Sequence, residues 1–266
     1  MRPALRYHGG KWNLAPWIIS YFPKHRIYTE AFGGGAAVLL RKPRSYAEIY
    51  NDLDCEIVNF FWILREHGPA LQEKLKLTPF ARKEFLSAYK PASDTIEQAR
   101  RTVIKSFMGF GSDSIRRKSG FRANSNRSGT TPAHDWKNYA EVLPELVERF
   151  RGVVIENRTA AEVIKAHDSA DTLHYVDPPY VHSTRSAAKN KAYRFEMSDN
   201  EHAELSKLLH SIRGHVVVSG YPSTLYSQLY KGWTTEKRDA LADGARKRIE
   251  LLWIKPSRQL PPNLHN

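Results

Sequence analysis

Short apolar runs alternate with glycine-rich and polar breaks over residues 1 to about 56. Arg26-Ile27-Tyr28-Thr29-Glu30 reads as a strand, Gly33-Gly34-Gly35 as a loop, and Ala36 to Leu40 as the first turns of a helix stopped before Pro43. Tyr46 to Tyr50 reads as a second strand, which completes a βαβ unit. The period then changes. Ile57 to His67, Leu71 to Tyr89 and Glu97 to Phe107 carry apolar residues at helical spacing. Gly109-Phe110-Gly111 opens a polar stretch to Pro132 with no apolar period, expected to be a long mobile loop or a hairpin. Asp135 to Phe150 reads as helix again. From about 151 the α/β pattern returns. Val153 to Ile155, Leu173 to Val176, His215 to Ser219 and Glu250 to Ile254 read as strands. Ala160 to Ala166 and Ser198 to Ser211 read as helices, the second with Asp199 and Glu201 in its first turn, where the helix dipole favours negative charge. The simplest architecture is an open, mainly parallel sheet built by residues 1–56 and 151–266. A largely helical insert over residues 57–150 interrupts it.

Composition narrows the class. The chain has 266 residues, 41% hydrophobic and 26% charged, ordinary for a globular protein. It shows neither a secretory leader at its start nor a stretch of about 20 apolar residues. The single cysteine, Cys55, excludes an internal disulfide and fits a reducing, cytoplasmic setting. The histidines show no metal-ligand spacing, so no metal is expected. Charge adds more. Lys plus Arg number 41 against 28 Asp plus Glu, a formal net charge of +13. Such an excess favours a polyanion, an acidic partner or a membrane surface. Arg116, Arg117, Lys118, Arg122 and Arg127 fall in the polar stretch with no acidic residue among them, which makes them candidates for phosphate contacts.

Two constellations carry chemistry. In the first, a strand ending at Glu30 runs through Phe32, Gly33 and Gly35 into a helix. Glycine lets backbone turn sharply and approach a ligand closely. The second strand ends at Asn51-Asp52, where a carboxylate can accept hydrogen bonds from ribose hydroxyls. The pattern fits NAD, FAD or S-adenosylmethionine. Val38 at the place of the third fingerprint glycine disfavours a pyrophosphate-bearing dinucleotide. The second constellation, Asp177-Pro178-Pro179-Tyr180, sits at the carboxyl end of a strand, where open α/β sheets keep their sites. Asp177 can accept a hydrogen bond from an exocyclic amine. The two prolines hold the next backbone extended, so that a carbonyl there accepts the second hydrogen. Tyr180 offers a ring face for a planar base.

These motifs, with Tyr7-His8-Gly9-Gly10-Lys11 before them, resemble the Dam-like, D12-type N6-adenine DNA methyltransferases, including phage members. The likeness runs along nearly the whole chain. The order of motifs, cofactor first, insert next and Asp-Pro-Pro-Tyr last, is that family's α-type arrangement. The resemblance implies a Rossmann-like methyltransferase sheet with helices on both faces and S-adenosylmethionine as cofactor. It implies that Tyr7, Lys11, Glu30, Phe32, Gly33, Gly35, Asp52, Asn157 and Asp177 bind that cofactor. Lys11 would lie near its carboxylate, and Asn157 would face its adenine. It implies that Asp177, Pro178, Pro179 and Tyr180 are catalytic, and that the segment from His215 to Tyr221 walls the base pocket. Tyr193 and Phe195 would lie in a loop over that pocket, and residues 57–150 would recognise the DNA target.

The mechanism that follows is extrusion of an adenine from double-stranded DNA by a monomer. The methyl then passes directly to N6, with Asp177 and the Pro178 carbonyl stabilising the charge that develops there. Three other readings exist: methylation of cytosine N4, methylation of an amide or RNA base (served by similar motifs with Asn in place of Asp), and a catalytically silent DNA-binding protein on the same scaffold. Asp177, the basic charge and the insert favour adenine in DNA.

Overall fold

The computed structural model describes residues 1–92, 94–124, 129–184, 194–242 and 246–256. Seven strands form one sheet in the order β3-β2-β1-β4-β5-β7-β6. They are β1 (Ile27–Glu30), β2 (Ala47–Asn51), β3 (Val153–Glu156), β4 (Thr172–Val176), β5 (His215–Gly220), β6 (Thr234–Ala242) and β7 (Arg246–Ile254). The pairings among β1 to β5 are parallel, while β7 runs antiparallel to both β5 and β6. The strand order reverses between β1 and β4. Ligands of open α/β sheets bind at such a point, outside the carboxyl ends of the strands.

Helices cover both faces. One face packs α1 (Ala15–Ser20), α2 (Ala37–Arg41), α3 (Cys55–Glu66), α4 (Gly68–Lys76), α5 (Arg82–Ser87), α6 (Thr95–Met108), α7 (Pro132–Lys137) and α8 (Leu143–Phe150). The other packs α9 (Ala160–Ala166), α10 (Asp199–Ser211) and α11 (Thr224–Leu229). Strand residues divide accordingly: Leu173, Tyr175 and Val217 enter the first cluster, Val176, Val216 and Val218 the second. This is the two-residue alternation of a strand buried on both sides. Helices α9 and α10 each begin in a capping box, Thr159 with Glu162 and Ser198 with Glu201. Among the described residues no helix is long and apolar enough to cross a membrane.

Residues 57–150 share a core with the sheet. Tyr50 of β2 packs on Phe61 of α3 with ring centroids 4.7 Å apart, and Phe61 stacks on Phe150 of α8 at 4.5 Å. Below them Arg149 reaches back to buried Glu48 at 2.6 Å.

The structure differs from the sequence reading in three places. Leu71 to Tyr89 is two helices, because Pro79 cannot donate an N–H and drives Thr78 out of the helical region. Asp135 to Phe150 is α7, a short 3-10 turn and α8, with Pro144 opening the last. The polar stretch takes the hairpin form, one of the two expected: Phe110 N donates to Gly120 O at 2.7 Å, and Arg122 N to Met108 O at 2.8 Å. Finally, β7 begins at Arg246 rather than Glu250, and β6 and the short helices α1 and α11 were not foreseen.

Candidate active site

A cavity of about 710 Å³ opens at the carboxyl ends of β1 and β4, in the size range of small-ligand sites. Its floor is the turn after β1. Tyr50 hydroxyl donates to Gly34 O at 2.7 Å, and Gly34 N–H donates to Asp52 Oδ2 at 2.7 Å. Gly34 sits at φ +46°, where only glycine rests without strain. A Cβ on Gly33 would lie 2.2 Å from the Tyr50 ring, and one on Gly34 would lie 2.6 Å from the Tyr7 ring. The glycines are thus needed for close approach, and Tyr7 covers the turn.

The lining is acidic although the protein is basic. Seven carboxylates, among them Glu30, Asp52, Asp54 and Asp177, face three cations, Lys11, Lys165 and Arg194. Glu30 is buried, and its Oε2 accepts hydrogen bonds from Tyr28 hydroxyl and Leu39 N–H, each at 2.7 Å. Burial outweighs those bonds and pushes its pKa up to about 8. Asp52 Oδ1 accepts from Asp54 N–H at 2.8 Å, and burial likewise pushes Asp52 up to about 6. The buried Oδ2 of Asp54 has no hydrogen-bond partner among the described residues. This set fits a ligand that carries positive charge and ribose-type hydroxyls: carboxylates for both, and a glycine cradle for close contact.

Asp177 stands where β4 ends. Its Oδ1 accepts from the Ser219 hydroxyl at 2.7 Å, and its Oδ2 pairs with Lys11 Nζ at 2.8 Å. Lys11 also reaches Glu250 at 3.8 Å and stands 4.8 Å from the centre of the Tyr180 ring. Tyr180 hydroxyl donates to Glu250, and Tyr221 meets the Tyr180 ring edge-on at 4.4 Å. Glu250 is buried, and desolvation raises its pKa to about 7. Lys11, Asp177, Glu250 and Tyr180 therefore form one charge-assisted cluster.

Most of the predicted residues converge. Tyr7, Lys11, Glu30, Phe32, Gly33, Gly35, Asp52, Asp177 and Pro179 line the cavity. Pro178, Tyr180 and Asn157 do not. Tyr180 is 6% exposed, so its ring is packed rather than open. Asn157 Nδ2 donates to Asp52 O at 2.7 Å and braces the Asp52 strand end from outside. Phe195 lines the cavity, and Tyr193 lies outside the described residues.

The basic candidates divide. Arg116 pairs with Asp113 within the turn, and Arg122 is buried with its guanidinium donating to Phe107 O at 3.0 Å across the hairpin base. Arg117 and Lys118 are exposed, Arg117 with its guanidinium 3.6 Å from Asp113; Phe110 is 75% exposed, and Arg127 lies outside the described residues.

Two residues carried no signal in the sequence. Arg194 pairs with Asp54 at 2.6 Å and Glu56 at 3.4 Å, tying the segment before α10 to the start of α3 across the cavity. Glu250 read only as part of a strand.

Known proteins resemble this chain along most of its length. Residues 7–242 match the model of the D12 class N6 adenine-specific DNA methyltransferases. The chain is 25% identical over 268 residues to the type II methyltransferase M1.LlaDCHI of Lactococcus lactis subsp. cremoris, covering 93% of this chain and 90% of that one. The match covers most of the chain, from before the glycine turn to beyond the Asp177 motif, and the chain belongs to the D12 class of N6-adenine-specific DNA methyltransferases.

Proposed function

We propose that the chain takes S-adenosylmethionine into the acidic cavity and methylates an adenine extruded from double-stranded DNA, with Asp177 as the acceptor that orients the amine. The observation that carries this reading is the position of Asp177. It belongs both to the cavity wall and to the Lys11–Glu250–Tyr180 cluster. When bound, the cofactor supplies an electrophilic methyl group. Tyr7 and the glycines would hold it closely, Asp52 would take its ribose hydroxyls, and Glu30 would face its charged end.

On the acceptor side, Lys11 and Ser219 fix the Asp177 carboxylate from two directions. Each carboxylate oxygen keeps a further lone pair for the target amine. Pro178 O offers the second acceptor. Both stabilise the positive charge that nitrogen gains as the methyl arrives. Entry of a base beside Tyr180 requires side-chain movement, and half-buried Tyr221 is the neighbour met edge-on. Residues 57–150 would present the DNA face, with Arg117 and Lys118 on phosphate and exposed Phe110 as an apolar wedge.

Three outcomes test this reading. Replacing both Arg117 and Lys118 with glutamine should flatten the log–log salt dependence of DNA binding by about 2. An unchanged slope removes them from the interface. Arg194→Ala should raise the cofactor dissociation constant roughly three- to tenfold, because the half-exposed bridge across the cavity is lost. An unchanged constant by titration calorimetry removes Arg194 from the site.

The third concerns pH. Folding raises Glu30 from its ordinary 4.5 to about 8 and Asp52 from 3.8 to about 6. Between those values the folded, ligand-free chain binds more protons than the unfolded one. The stability that these two groups contribute is therefore lost as pH rises. A cationic, hydroxyl-bearing ligand prefers them ionised, so cofactor affinity should rise from pH 5 to about 8. Thermal melts with and without S-adenosylmethionine across that range should show a growing ligand-induced shift. A flat or shrinking shift contradicts the assignment.

A further inference from the structure

β7 outruns the sheet that supports it. Its last pairing with β5 is Leu251 with Gly220, at the carboxyl edge. The residues before Leu251 pair only with β6: Glu250 with Arg238, and Arg248 with Ala240. The hairpin therefore stands above the edge on which the active site opens. Side chains two apart on a strand share a face. Glu250 uses that face to hold Tyr180 and Lys11. Arg248 projects from the same face about 7 Å further out. Its guanidinium lies 5.7 Å from the centre of the Tyr221 ring, and Tyr221 leans on Tyr180.

Arg248 is half-buried, and no acidic side chain pairs with it among the described residues. The face below it is rich in countercharge already used: Glu250 holds Tyr180 and Lys11, and Asp177 holds Lys11 and Ser219. A guanidinium is a planar fork that matches phosphate oxygens in two hydrogen bonds. Here it is set on a strand rather than a loop, its approach fixed by an aromatic ring. A nucleotide whose base enters beside Tyr180 and Asp177 must leave its backbone outside, one sugar away. Arg248 is a cation on that face of β7, one step beyond Glu250.

We propose that Arg248 binds the backbone phosphate that flanks the extruded adenosine, as a binding residue of the catalytic domain distinct from the basic hairpin of residues 109–122. The proposal rests on the reading of the site as one for a flipped adenine in DNA. Such a contact forms only with the extruded nucleotide. It helps to hold the base out of the stack as well as adding affinity.

The experiment pairs the side chain with the phosphate. The methylated sequence is first located by mapping N6-methyladenine in DNA treated with the wild-type protein. Duplexes of that sequence are then made with a neutral methylphosphonate on the 5′ or the 3′ side of the target adenosine. Single-turnover methyl transfer is measured for the wild type, Arg248→Gln and Arg248→Lys, with the cofactor dissociation constant as a check on folding. On unmodified DNA Arg248→Gln should lose about 10- to 100-fold, the scale of one charge-assisted contact. On one of the two flanks the methylphosphonate should slow the wild type by a similar factor and slow Arg248→Gln less than about twofold, since the two changes remove the same interaction.

Equal methylphosphonate losses in wild type and variant on both flanks overturn the proposal and leave Arg248 as packing on Tyr221. Arg248→Lys covers the case in which glutamine unsettles the hairpin, because it keeps the cation and loses the fork. It should show a smaller methylphosphonate loss than the wild type, and an equal one overturns the proposal. Failure of the wild-type protein to methylate any DNA would instead overturn the reading of the site beneath it.

Discussion

Asp177→Ala is expected to lower methyl transfer by about 10³-fold or more, the scale seen when a group aimed at developing charge is removed. Cofactor affinity should change only a few-fold. Asp177 ends β4 at the switch point, and both of its oxygens are already held, one by Ser219 and one by Lys11. The carboxylate is thus oriented before substrate arrives, and its charge is matched by a buried lysine. Without it, no other carboxylate in the cluster is placed to take the amine. Glu250 is bound to Tyr180, and Lys11 would turn to Glu250 alone. Asp177→Asn keeps an accepting oxygen and loses the charge, so it should fall between alanine and wild type. The floor of the cavity does not depend on Asp177, which is why cofactor binding should survive. Full activity in the alanine variant would remove Asp177 from its assigned role.

The second large effect is expected on binding rather than chemistry. Asp52→Ala should weaken S-adenosylmethionine by about 100-fold or more. The carboxylate accepts Gly34 N–H and Asp54 N–H at 2.7 and 2.8 Å. It therefore holds both the glycine turn and the start of α3. Each buried N–H left without an acceptor costs about 1–3 kcal/mol and unsettles the turn, and the ribose contacts proposed for Asp52 would be lost as well. Asp52→Asn retains one accepting oxygen and should lose less. The assay is titration calorimetry on folded variants. An unchanged dissociation constant would show that the ribose is held elsewhere.

Much of this site is legible in the sequence because its chemistry is local. Glu30 to Gly35 and Asp177 to Tyr180 are contiguous, and each follows a short apolar strand whose end fixes where the side chains arrive. What escapes is what the fold assembles. Arg194 meets Asp54 from 140 positions away, and no local pattern announces that pair. Glu250 looks like one charge in a strand, and only the antiparallel return of β7 sets it under Tyr180. The strand β6 has mixed charge and no apolar alternation, as suits an edge strand.

The linear run of charge overstates the basic surface. Arg116, Arg117, Lys118 and Arg122 look like one phosphate-binding run. Closure of the hairpin gives Arg122 to the Phe107 carbonyl, and Asp113, just upstream of the run, takes Arg116 and meets Arg117 at 3.6 Å. In the same way Asn157 sits against the backbone of Asp52, outside the cavity wall. Pro79 and Pro144, by contrast, were visible breaks that amphipathic spacing masked.

The most direct test is transfer of label from S-adenosylmethionine to unmethylated duplex DNA, followed by digestion and nucleoside analysis, with Asp177→Ala alongside. Label in N6-methyladenine, lost in the variant, is the predicted result. Label in N4-methylcytosine, or none in DNA while the cofactor still binds, would contradict the account.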